Sequence, residues 1–235
     1  MVLPTGLLSS FTFAERVQRN FITGDRWLLL LRGLQTTLIV SVMAAVLGIV
    51  LGLLLALARL SRFKPASIAA GTYIDIIRGT PMVVQLMIFY FVLLGPITWL
   101  DKTIIASIAF GCNSAAYVAE IIRGGILSID IGQREAGLSL GLTGAMTMRH
   151  IIMPQAVKNI LPSLGNELIM LIKETSILGY IGVVDLARAG EQIRARTLDA
   201  FLPLLAVAVV YYVLVKLLSF LLQKLERRLR ESDQR

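Results

Sequence analysis

Eight side chains set among apolar residues have the chemistry to handle a small polar solute: Arg78, Gln85, Asn113, Tyr117, Glu120, Asn166, Glu167 and Lys173. A guanidinium or ammonium takes a carboxylate, a carboxylate takes an ammonium, and amides or a phenol hydrogen-bond to either. Their spacing groups them. Arg78, Met82 and Gln85 recur at i, i+4 and i+7, as do Asn113, Tyr117 and Glu120, so each set falls on one helix face. Asn166 and Lys173 share a face, and Glu167 and Glu174 share the adjoining one. Charges deep in apolar segments are costly and face an aqueous path or each other. Glu120 and Arg123, three apart, pair near the membrane surface as readily as they contact a solute.

Other chemistry is excluded by what the chain lacks. Cys112 is the only cysteine and His150 the only histidine, so one chain builds neither a disulfide framework nor a Cys/His metal site. No Ser/His/Asp set is evident, and no Gly-x4-Gly-Lys-Ser/Thr phosphate loop is present. If ATP drives this protein, another subunit must bind it. The net charge of +8 is spread through tails and loops rather than gathered in a stripe, which predicts contact with anionic lipid and not with nucleic acid.

The elements that position these residues are apolar spans. Over 235 residues, 56% are hydrophobic, 16% are charged and the mean hydropathy is +0.77, which predicts an all-α integral membrane protein with about five transmembrane helices. Residues 1–32 read as an amphipathic surface piece with Phe11, Phe13, Val17 and Phe21. From Gly33 to Ala58 no charge appears, and at ~1.5 Å per residue this stretch covers ~39 Å, more than a ~30 Å hydrocarbon core. Within it Gly48 and Gly52 invite close helix packing. Further spans are expected near 66–94 (broken by Arg78-Gly79-Thr80-Pro81), 104–122, 159–184 and 200–222, making residues 33–222 one transmembrane domain and 223–235 a tail. Residues 185–199 read as a polar connection.

Between the third and fourth spans lies a polar, glycine-punctuated island at about 130–158: Glu135-Ala136-Gly137-Leu138-Ser139-Leu140-Gly141, nine residues, then Ile151-Ile152-Met153-Pro154. Arg134, Glu135, Arg149 and His150 place it at or outside the membrane surface. It resembles the E-A-A-x3-G-x9-I-x-L-P signature of bacterial ABC importer permeases. Glu135, Ala136, Gly141, Ile151 and Pro154 match in register, while Gly137 stands for the second Ala and Met153 for the Leu. Arg78-Gly-Thr-Pro-x3-Gln85, Ala116-Tyr117-x2-Glu120-x2-Arg123-Gly-Gly and Lys173-x-Thr175-Ser176 are similar to motifs of the polar amino-acid branch.

That resemblance implies a type I ABC importer permease fold. Its island would be a pair of short coupling helices seated on a cytoplasmic ATPase, through Glu135, Ala136, Gly137, Gly141, Ile151 and Pro154. It also implies a second permease chain, identical or related, two ATPase subunits carrying ATP and magnesium, and an extracytoplasmic amino-acid-binding protein. No cofactor is then expected in this chain. Lys and Arg outnumber on the island's side, which predicts an inner-membrane protein with its N-terminus external and its C-terminus cytoplasmic. A related permease for methionine or an opine, or an ATP-independent carrier or channel, are the readings that compete with polar amino-acid import.

Overall fold

The computed structural model describes residues 11–231, with side chains through Arg228. Residues 1–10 of the expected amphipathic segment and 232–235 of the tail lie outside the described residues. Within the described residues every regular element is a helix. A short helix, α1 (Phe13–Val17), opens on a capping box: the Thr12 hydroxyl accepts from the Glu15 amide, and the Glu15 carboxylate accepts from the Thr12 amide. The chain then turns at Gly24, where φ is +65°, into the long helix α2 (Trp27–Leu60). This helix starts at Trp27 rather than at the first uncharged residue, Gly33, because Arg32 and its neighbours are good helix formers.

The second expected span is two helices, not one kinked one. α3 (Lys64–Arg78) and α4 (Met82–Ile88, prolonged to Leu93) meet at 108°. Pro81 has no amide hydrogen to continue α3, and its extended backbone (ψ 136°) redirects the chain. α5 (Lys102–Leu127) begins on the Asp101 carboxylate, which accepts from the Thr103 amide at 2.7 Å. α6 (Ile131–Ser139) and α7 (Gly144–Thr147) form the island, and α8 (Met153–Glu174) follows without a loop. α9 (Leu186–Thr197) and α10 (Phe201–Glu231) complete the chain.

α2, α5 and α10 are long and apolar enough to cross a membrane, and the bent α3–α4 pair is too when its two helices are taken as one span. α8, where the sequence predicts a span at 159–184, does not reach that apolarity. Lys158, Glu167, Lys173 and Glu174 make it less apolar than the others, and it packs on α5 and α10.

The α2–α5 interface is the most extensive in the chain. Its closeness depends on glycine. A Cβ at Gly52 would lie 2.6 Å from the Val118 Cβ, and one at Gly48 would lie 2.9 Å from the Ser114 Cβ. Neither space exists, so the two backbones approach because both positions lack side chains. Around this seam Val40, Ala44, Leu86, Ala109, Phe110 and Leu171 are fully or nearly fully buried. The opposite sides of α2 and α10 stay apolar and exposed, as Val46, Leu54, Tyr212 and Phe220 illustrate, which suits a lipid-facing surface.

Residues 185–199 differ from the expected polar connection. They form α9, which buries Leu186, Ala189, Gly190 and Ile193 between α2 and α10. Asp185 caps it by accepting from the amides of Ala187 (2.9 Å) and Arg188 (3.1 Å). The apolar stripe of this helix is short and interleaved with arginines, so its low mean hydropathy concealed a buried face.

One carboxylate gathers the elements at this end. Asp199 accepts from Arg16 Nε (3.0 Å) and Nη2 (2.8 Å), from Asn20 Nδ2 (2.9 Å) and from the Phe201 amide (3.1 Å). The Arg16 guanidinium, with Asn20 and the Phe201 amide, holds the Asp199 carboxyl below its usual range. A depressed pKa means that the clasp stabilises fully above the ordinary aspartate value of about 3.9 and is lost as pH falls below it. Asp199→Asn should therefore cost about 1–3 kcal/mol near neutrality. Thermal unfolding in detergent should show that wild-type advantage shrinking below about pH 3.9. An advantage independent of pH would contradict the clasp.

Candidate functional site

The island is built by two helix ends. α6 stops at Gly141, whose φ of +82° lies in the left-handed region that favours glycine. The amides of Gly141 and Leu142 donate back to the carbonyls of Leu138 (3.0 Å) and Gly137 (3.1 Å), satisfying the end of the helix. α7 then starts on Thr143, whose hydroxyl accepts from the Met146 amide. Gly137 fixes the angle between the two: a Cβ there would lie 2.8 Å from Thr147 Cγ2 and 3.0 Å from Ile151 Cδ1. Gly137, in place of the expected alanine, is thus a buried contact point and not a neutral replacement. Glu135, Ala136 and Pro154 are exposed and Ile151 is half-buried. Leu140, 82% exposed, and Leu138 and Met146 present apolar surface beside Arg134 and Arg149.

The eight solute candidates separate into four environments. Gln85 and Asn113 are buried and bonded to each other, Asn113 Nδ2 donating to Gln85 Oε1 at 2.9 Å. Gln85 Nε2 donates to the carbonyls of Ile77 (2.7 Å) and Thr80 (3.1 Å) and to Thr80 Oγ1 (2.7 Å). Two of these acceptors are backbone carbonyls, which only the amide nitrogen can serve, and this leaves the oxygen for Asn113. Each such group left unpaired in an apolar setting costs about 1–3 kcal/mol.

Arg78, Tyr117 and Glu120 form the second group. The Arg78 guanidinium sits 5.5 Å from the Tyr117 ring centroid and 4.0 Å from Glu120. Glu120 is already held by both Arg123 Nε (3.0 Å) and Nη2 (2.8 Å). Arg78 keeps much of its surface in the open, and Tyr117 stands exposed beside it. In the third environment Glu167 turns inward and accepts from Ser114 Oγ at 2.7 Å, with Glu174 half-buried further along α8. Ser114 was missed in the sequence because a lone serine in an apolar helix signals nothing until its partner is known. Asn166 and Lys173, the fourth group, are exposed on the other face of α8.

An open cleft of about 540 Å³ lies apart from these eight residues, beside α9, lined by Ser176, Tyr180, Arg188, Glu191, Arg194 and Leu204 among others. Arg188 and, more weakly, Arg194 pair with Glu191 and keep its carboxyl below the usual range.

Comparison with known proteins decides the family. The profile of the binding-protein-dependent transport system inner membrane component matches residues 48–231. The chain belongs to that family. The permease is 43% identical over 205 residues to the arginine transport system permease protein ArtQ of Bacillus subtilis (strain 168), covering 87% of this chain and 94% of that protein. It is 44% identical over 206 residues to the glutamine transport system permease protein GlnP of Escherichia coli (strain K12), covering 86% and 93%. Among solved structures, an amino acid ABC transporter crystallised with histidines superposes with a TM-score of 0.83 at 40% identity, covering 93% of this chain and 99% of that one. The inward-facing MetNI methionine ABC transporter shares the fold, with a TM-score of 0.71 at 22% identity over 86% of this permease and 96% of its own chain.

The geometry of the island carries a direct consequence. Gly141→Val places a β-branched residue at positive φ, a cost of about 1–2 kcal/mol concentrated on the α6–α7 turn. The variant should reach the membrane at normal abundance yet lose most uptake in vesicles. Wild-type uptake by Gly141→Val would remove any role for the turn.

Proposed function

We propose that this chain is the transmembrane permease subunit of an ATP-driven ABC importer for polar L-amino acids. The observation that carries the reading is the pair of short helices at residues 131–147, locked by Gly137 and Gly141 and exposing Leu138, Leu140 and Met146. A rigid, partly apolar knob outside the spans suits a partner that delivers force, and this chain has no phosphate loop of its own. Two ATPase subunits, holding ATP and magnesium, would grip two such knobs from two permease chains. An extracytoplasmic binding protein would deliver cargo at the far side, with the N-terminus external and the C-terminus cytoplasmic.

The cargo assignment rests on the relatives named for arginine and glutamine, and on the polar groups that this chain keeps in its spans. A zwitterion leaves water only where polar groups replace its hydration. Arg78, Tyr117, Glu120, Asn166, Glu167 and Lys173 retain open or half-open surface and can offer such groups along a path that a second permease chain closes. Gln85 and Asn113 are turned toward each other, and in this conformation they serve the scaffold more than the cargo. Closure of the ATPase pair would move the knobs and open the path outward; reset would open it inward. Each state needs only a differential bias from nucleotide or loaded binding protein.

The test is uptake by vesicles that contain the whole assembly, with labelled arginine, glutamine and histidine competing against methionine and an opine. Accumulation should require ATP, and a polar amino acid should compete far better than methionine. ATP-independent equilibration, or preference for methionine, would contradict the assignment. Within the same assay Lys173→Ala should change the uptake KM or maximal rate several-fold, whereas unchanged kinetics would make Lys173 a structural charge.

A further inference from the structure

The polar face of α5 and that of the broken α3–α4 pair match one another residue by residue. Asn113 on α5 meets Gln85 on α4, and Tyr117 and Glu120 meet Arg78 at the end of α3. The two ends of this strip are unlike. The Gln85–Asn113 end is buried, with Gln85 5% and Asn113 3% exposed, and the Gln85 amide nitrogen spans the 108° break by serving Ile77 and Thr80. The Arg78 end is open and held by a 4.0 Å ion pair and one ring contact.

We infer that Gln85 is a positioning residue that welds α3, α4 and α5 into one body through the transport cycle. Both amides are buried, and Leu86, next to Gln85, and Ala109 and Phe110, one turn before Asn113, belong to the apolar core, so separation would leave the two side chains without partners. The break therefore keeps its angle in both states. Relative motion falls instead at surfaces without buried polar bonds of this kind, and the cargo never passes between Gln85 and Asn113. Arg78 rides on the same body with its guanidinium free to exchange partners. This inference rests on the importer reading given above, and the test separates the two.

The test uses Gln85→Cys with Asn113→Cys in a Cys112→Ala background, assembled with the ATPase and reconstituted in vesicles. Without these amides the unjoined double variant should take up amino acid about tenfold or more slower than the Cys112→Ala protein, and joining the two thiols with a short bis-methanethiosulfonate should restore much of that uptake until reductive cleavage removes it again. Undiminished uptake before joining, or uptake abolished by joining and regained on cleavage, would overturn the weld. Because the double variant perturbs a buried pair, a second series guards against misfolding: Gln85→Asn, Asn113→Gln and both together, which exchanges the two amides. Each single change should lower uptake tenfold or more while ATP hydrolysis persists, and the exchanged pair should regain most of it. Equal loss of hydrolysis and uptake in every variant, without rescue, would also overturn it. A wild-type assembly that moves no amino acid would instead count against the importer reading.

Discussion

Hydrocarbon gives no partner to a backbone or side-chain polar group, and this constraint shapes the permease wherever its helices are interrupted. The break after Arg78 is the clearest case. Pro81 ends the hydrogen-bond ladder of α3, freeing carbonyls at Ile77 and Thr80, and the Gln85 side chain takes both up. Its remaining oxygen is spent on Asn113 of α5, so satisfying a local defect also fixes a tertiary position. Glu167 shows the same logic with Ser114. Polar residues in these spans are first of all partners for one another. Only those left with open surface, such as Arg78 and Lys173, are available to a solute.

Close packing supplies the other half of the frame. Gly48 and Gly52 bring α2 against α5, and Gly33 lets the Asp185 carbonyl, at the start of α9, lie against the α2 backbone. The Thr37 hydroxyl accepts from the Leu186 amide across the same contact. These contacts give the interior a set of fixed surfaces, while the outer faces of α2 and α10 remain apolar and featureless. A structure with stiff internal seams and one protruding knob transmits a push at the knob to whole helices rather than absorbing it locally.

Much of this was legible in the residues. The apolar runs foretold α2, α5 and α10, the glycine-rich island foretold the paired short helices, and Gly48 and Gly52 announced a close helix contact. Three things were not. Pro81 signalled a kink, but the right-angle turn depends on Gln85 reaching back across it, a contact between residues that share no periodic signal. α9 was hidden because its buried face is only Leu186, Ala189, Gly190 and Ile193 among arginines. The stripe of Asn113, Tyr117 and Glu120 was visible as a stripe, yet periodicity says which face it occupies and not what it faces. Here it faces the broken span.

On the proposed reading, residues 131–147 lie on the cytoplasmic side and are covered by a nucleotide-hydrolysing subunit. Leu140, 82% exposed, is the place to measure it. In a Cys112→Ala background, Leu140→Cys should react with a membrane-impermeant maleimide only in inside-out vesicles. Its reactivity should fall at least tenfold when the ATPase is bound, as expected for a side chain that loses solvent at an interface core. Labelling from the external side, or a reactivity that the ATPase leaves unchanged, would contradict the account.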